Sequence, residues 1–127
     1  MYVLGIDFGT KKLGLAILET ESELASPLPI IKNDIDLFAN LTKIIASYRI
    51  TTVVLGLPSY ENTQKKVLAF VAMFKQQFTN ITVYFENEDN TSIGIKSQLS
   101  GKKQQSQLDS FSAVEILNQW RTTANLV

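Results

Sequence analysis

Apolar positions along the chain follow two rhythms: short continuous runs, and stripes at three- and four-residue spacing. Residues 2–8 and 12–19 are apolar almost throughout, which predicts buried strands, and the short Gly9-Thr10-Lys11 segment between them predicts a hairpin. Residues 24–31 contain Pro27 and Pro29. Proline cannot donate to a ladder, so this segment is predicted at a sheet edge. Leu37, Leu41, Ile44, Ile45 and Tyr48 recur at helical spacing, with Asp34 or Asp36 as capping candidates. Val53-Val54-Leu55-Gly56-Leu57 predicts a buried strand stopped by Pro58. Beyond the loop 58–63, Val67, Phe70, Val71, Phe74 and Phe78 mark a second helix, and Ile81 to Phe85 the next strand. Thr91 or Ser92 is expected to begin a short helix carrying Ile93, Ile95 and Leu99, followed by a polar loop, Ser100 to Ser106. A last helix is predicted with Leu108, Phe111, Val114, Leu117 and Trp120 on one face. The order β-β-β-α-β-α-β-α-α predicts an α/β fold: one domain over residues 1–127, a mixed sheet with helices on both faces.

Composition narrows the chemistry. Lys plus Arg and Asp plus Glu are 12 each, so a polyanion could be held only by a local basic patch. The absence of Cys and His excludes disulfides, thiolate or imidazole metal sites, and Ser-His-Asp or Cys-His catalysis. Any metal would sit on oxygen ligands, which suits Mg2+ or Mn2+. No apolar run approaches the ~18 residues of a membrane span, and Asp7 with the lysine pair interrupts any signal-peptide core. A cytoplasmic protein with no membrane partner is expected.

Three carboxylates stand at predicted element ends. Asp7 closes the first strand before the Gly9-Thr10 turn, where the backbone lets a phosphate or metal approach. Glu88 follows the strand ending near Glu86, and Asp109 opens the last helix. Neighbouring strand ends and one helix start can converge on one sheet edge. Converging carboxylates without His or Cys suit two divalent ions roughly 3.5–4 Å apart that activate water and stabilise a leaving oxygen. Blander readings compete. Glu88 can be one solvated acid among Glu86, Glu88 and Asp89, and Asp109 follows Ser106 at capping-box spacing in a first helical turn. Spacing alone leaves both readings open.

The stretch Gly5-Ile6-Asp7-Phe8-Gly9-Thr10-Lys11-Lys12-Leu13-Gly14-Leu15-Ala16 resembles the opening motif of the YqgF family, also called RuvX. Val54-Leu55-Gly56-Leu57-Pro58 resembles its central strand-loop motif. Asn87-Glu88-Asp89-Asn90-Thr91-Ser92 is similar to its Asp-Glu-Arg-Leu-Thr-Thr motif, and Asp109 to Leu117 resembles its closing helix. The resemblance spans nearly the whole chain. It implies an RNase H-like fold with a five-stranded sheet, and Asp7, Glu88 and Asp109 as catalytic, metal-binding acids. It chooses Glu88 over Glu86. It implies a metal-dependent endonuclease acting on structured nucleic acid, in 5′-end processing of pre-16S rRNA or on Holliday junctions. The chain departs from the pattern where Asp89 stands in place of Arg, Asn87 in place of an acid, and Asn90 in place of Leu. Asp89 cannot contact a phosphate as Arg would, and adds repulsion to an anionic substrate.

Other readings remain in view. Sugar kinases, Hsp70 and actin share a similar acid-to-Gly-Thr turn, but they place ATP between two such domains. A weakly active or inactive binding module for ribosome assembly is the other alternative. Lys11, Lys12, Lys102 and Lys103 are the candidate nucleic-acid contacts. Tyr60 could stack on a base, whereas Trp120 falls on the apolar stripe of the last helix. A monomer or a homodimer fits the sequence equally.

Overall fold

Five strands form one mixed sheet ordered β3-β2-β1-β4-β5. The structure is a computed structural model that describes the backbone of residues 1–87 and 105–125, and the side chains of 1–87 and 111–122. In chain order these are β1 (Tyr2–Asp7), β2 (Lys12–Glu19), β3 (Leu24–Lys32), α1 (Leu37–Tyr48), β4 (Thr52–Leu57), α2 (Glu61–Gln77), β5 (Thr82–Asn87) and α3 (Gln105–Asn125). The expected short helix after Thr91 and most of the polar loop lie outside the described residues.

The sheet starts as an antiparallel meander, β1 to β2 to β3, and then adds parallel strands by crossovers. The prolines take the predicted edge: Pro27 pairs with Ala16 on β3, the outermost strand. Helices α1 and α2 form the two parallel crossovers and share one face. Their Leu37, Leu41, Val67, Phe70, Val71 and Phe74 pack with Leu4, Ile6, Leu13, Leu15, Val53 and Leu55. The opposite residues of the same strands, Val3, Ala16, Leu18 and Val54, pack against Ala113, Ile116 and Leu117 of α3. The period-two alternation of the strands therefore sorts the core into two layers.

Two expectations are corrected. The Asp36 side chain does not cap α1 although Asp36 holds the N-cap position. Instead an Asp34 carboxylate oxygen accepts from the Asp36 N–H at 3.0 Å, and the Leu37 N–H donates to the Asp34 carbonyl at 3.1 Å. The last helix begins at Gln105, earlier than the polar run suggested, and its buried face is Ser112, Ala113, Ile116 and Leu117. Phe111, placed on the buried stripe by its spacing, is 43% exposed. A stripe at every third residue drifts around a helix of 3.6 residues per turn, and the small Ser112 and Ala113 let α3 approach the sheet more closely than phenylalanine would.

Candidate active site

Asp7 is the last residue of β1 and belongs to the face covered by α3. Val3 packs into the α3 layer and Gly5 lies beneath Leu117, so Asp7, the next residue of that parity, is directed to the same side. The sheet register sets its surroundings. Asp7 pairs with Gly14 of β2. Ile6 pairs with Leu55 of β4, so one step further Asp7 stands level with Gly56. Gly56 in turn pairs with Glu86 of β5. The row reads Gly14, Asp7, Gly56, Glu86, with strands about 4.8 Å apart. On both sides of Asp7 the neighbouring strand contributes no side chain.

The close approach of α3 rests on Gly5. A Cβ there would stand 2.6 Å from Leu117 Cγ and 3.0 Å from the Ala113 carbonyl oxygen. The direction of α3 follows from its far end, where Arg121 pairs with Glu23 at 3.8 Å. Glu23 lies in the β2–β3 turn, at the Tyr2 end of β1, because Glu19 pairs with Tyr2. The start of α3 is therefore at the Asp7 end. One helical turn before Ala113, about 5.4 Å, is position 109. Two residues beyond Gly5 along β1, about 6.6 Å, is Asp7. The backbone thus carries positions 7 and 109 to the same level on the same face. With α3 beginning at Gln105, Asp109 is in its second turn, and no acid occupies the first. Ser106 is inside the helix, so the capping reading of Asp109 is withdrawn.

Glu88 directly follows β5 but lies outside the described residues, as do Lys102, Lys103 and the departure Asp89. Among the described residues no three acids gather to hold an ion. Glu86 faces α3, since Tyr84, two residues before it, meets the Trp120 ring at 5.6 Å. Burial raises the Glu86 pKa above the ordinary 4.5, opposed by a side-chain hydrogen bond with Gln119. Sequence reasoning set Glu86 aside; its readable signal is parity with Tyr84 across from Gly56. Gly14 and Gly56 also carried a signal, since a glycine inside an apolar strand marks a close approach.

The Gly9-Thr10 turn is clamped. The Asn33 side-chain amide donates to the Gly9 carbonyl at 2.9 Å, and the Asn33 N–H donates to the Lys11 carbonyl at 2.9 Å. A Cβ on Gly9 would overlap the Lys12 carbonyl oxygen. Thr10 and Lys11 are exposed, while Lys12 is half-buried opposite Lys32. A cleft of about 410 Å³ opens where β4 and β5 end, lined by Pro58, Ser59, Gln64, Glu86 and Asn87. Tyr60 beside it is 76% exposed, whereas Trp120 is half-buried against the α3 layer.

A family model described as "RuvX: Holliday junction resolvase" matches residues 1–122. The chain belongs to the RuvX family. A Mycoplasma mobile relative named "Putative pre-16S rRNA nuclease" is 33% identical, covering 93% of this chain and 90% of the relative. One of the same name from a Sulfurihydrogenibium species is 32% identical, covering 91% of this chain and 86% of the relative. Among solved structures, T. thermophilus RuvC in complex with a Holliday junction substrate matches with a TM-score of 0.62 at 16% identity, covering 99% of this chain and 96% of that one. The fowlpox virus Holliday junction resolvase matches with a TM-score of 0.57 at 16% identity, over 100% of both chains. The fold of this RuvX-family chain is thus the RNase H-like fold that its opening motif implied. No helix among the described residues is long and apolar enough to cross a membrane.

Proposed function

We propose that this chain is a divalent-metal-dependent endonuclease that hydrolyses phosphodiester bonds in structured nucleic acid, and that its task is 5′-end processing of pre-16S rRNA in the cytoplasm. A single RNase H-like domain carries the reaction. The observation behind the proposal is the placement of Asp7 at the end of a central strand, level with position 109 of α3 and flanked by Gly14 and Gly56. The names of the pre-16S rRNA nuclease relatives support the choice of RNA.

The residues present fit Mg2+ or Mn2+. The chain's acids supply only hard oxygen donors, and the strand neighbours on either side of Asp7 are glycines, which put no side chain directly beside it. Asp7, Glu88 and Asp109 would hold the ions, which when bound activate water and stabilise the leaving oxygen. The chain's own part is positional. Strand β1 presents the Asp7 carboxylate, Gly5 seats α3 so that position 109 comes level, and the clamped Gly9-Thr10 turn keeps the adjoining backbone open to a phosphate. Lys11, Lys12, Lys102 and Lys103 would offset phosphate charge.

The test is cleavage of precursor 16S rRNA and of a four-way DNA junction with Mn2+, with Mg2+ and with EDTA. Wild type should cut the RNA, EDTA should abolish cutting, and Asp7→Asn should lower the rate by about 10²–10³-fold. Equal cutting by Asp7→Asn overturns the catalytic assignment. A second substrate is favoured by the resolvase description of the family. Junction resolution needs two cuts and hence two sites, so it predicts a homodimer on the junction, whereas RNA processing needs only a monomer.

A further inference from the structure

The β2–β3 hairpin carries a pair of like charges. Lys12 of β2 stands directly opposite Lys32 of β3. Cross-strand partners point to the same face, and like charges so placed repel. The face is the one that Asp7 uses. Ala16 and Leu18 pack into the α3 layer, so Gly14 and Lys12 share their parity, and Gly14 is the partner of Asp7. Lys32 reaches this face through a bulge. Leu15 pairs with Leu28 and Leu13 with Ile31, so two steps along β2 match three along β3. Leu28 and Ile31 both pack on the α1–α2 layer, a spacing that regular alternation forbids. Without the extra residue Lys32 would fall on that other face. Bulges beside active sites re-aim side chains in this way.

We propose that Lys12 and Lys32 together hold one backbone phosphate of the substrate strand, on the β2–β3 side of the scissile phosphate. The inference rests on the nuclease reading of the Asp7 edge and adds to it the path of the strand across that edge. By strand and residue spacings, the backbones of Lys12 and Lys32 stand about 8 and 12 Å from that of Asp7, just beyond its end of the sheet. A phosphate held there is a near neighbour of one held at Asp7. The pair is fixed before anything binds. The Asn33 N–H and side-chain amide tie the end of β3 to the Lys11 and Gly9 carbonyls, both at 2.9 Å, and the Gly9 backbone lies against the Lys12 carbonyl. The next acid along β3 is turned away: Asp34 lines a cavity on the opposite face, and its carboxylate accepts the Asp36 N–H at 3.0 Å. Two cations fixed on one face repel until an anion lies between them, and a phosphate offers both an acceptor oxygen and the opposite charge. Lys32 belongs to none of the motifs that carry the family resemblance.

The test is equilibrium binding, in EDTA so that nothing is cut, of a short fluorescein-labelled RNA spanning the 5′ end of 16S rRNA in its precursor. The same RNA is then made with one uncharged methylphosphonate linkage moved along it. The protein is the full chain, as wild type, Lys32→Gln and Lys32→Arg; Lys32 is exposed, so neither change enters the core. Lys32→Gln should bind the unmodified RNA about tenfold more weakly, with a log-log salt slope lower by about 0.7. Lys32→Arg should bind as wild type does. Wild type should lose about the same factor at one linkage, and this loss should not add to that of Lys32→Gln. The urea midpoint of Lys32→Gln should not fall, because the change relieves repulsion across the hairpin. Fully additive losses at every linkage overturn the proposal, and so does an unchanged salt slope. A lower urea midpoint with unchanged RNA affinity also overturns it and gives Lys32 a structural role. With Mn2+ present, the sensitive linkage should lie next, or next but one, to the bond that wild type cuts; a more distant one overturns the placement beside Asp7. The nuclease reading fails separately: it is lost if wild type cuts nothing, whatever the linkage series shows.

Discussion

Gly5 holds the closest contact between the sheet and α3. Alanine there would have to displace Leu117, or the helix backbone at Ala113, both of which are buried. Gly5→Ala should therefore cost about 1–3 kcal/mol by urea unfolding, and should also lower nuclease activity because position 109 moves away from Asp7. Glu86 lies in the Asp7 row, and its charge is disfavoured by burial. Its folded pKa is raised above the ordinary 4.5, so the folded state holds the extra proton between that value and the raised one. Stability falls as pH rises through this window, and the full cost is present above it. Glu86→Gln should raise the urea midpoint at neutral pH, and the gain should vanish below pH 4.5. An equal gain at both pH values would assign it to packing instead of charge. The row itself was not legible in the sequence. Asp7 and Gly14 share the opening motif, but Gly56 and Glu86 stand elsewhere in the chain, and only the register places all four side by side.

Among the elements, the strands and the first two helices were legible because their patterns are local. Continuous apolar runs became buried strands, Pro27 and Pro29 marked the edge, and the stripe of α2 from Val67 to Phe74 is the stripe that is buried. The start of α3 was not legible, and its face only in part: Leu117 of the expected stripe is buried with Val114 and Trp120 packed beside it, whereas Phe111 is exposed. Its large apolar residues favour one face, but the sheet accepts the smaller Ser112 and Ala113 opposite Gly5. The end of α1 is a further tertiary detail. Arg49 adopts a left-handed conformation with φ 53°, which closes the helix through N–H bonds to the Ala46 and Ile45 carbonyls. Glycine suits this conformation without a Cβ penalty, so Arg49→Gly should stabilise the chain by about 0.5–1 kcal/mol in thermal or urea unfolding.

At the scale of the whole molecule, 12 basic and 12 acidic side chains leave no net attraction for a polyanion, so binding must come from where the lysines are placed. Lys102→Glu with Lys103→Glu should weaken RNA binding and lower its salt dependence by about 1 to 2 in log-log slope. Binding measured at several salt concentrations checks this, and an unchanged slope would remove the pair from the interface. By itself the sequence determined the order of the described elements, that any metal would have to sit on oxygen ligands, and the family, because these depend on periodicity, on the absence of His and Cys, and on contiguous motifs. The tertiary structure decided which face of the sheet Asp7 serves, how position 109 reaches its level, and that Lys12 and Lys32 stand on that same face. Those depend on the pairing of strands far apart in sequence and on how closely a helix can approach a glycine, which no local pattern encodes.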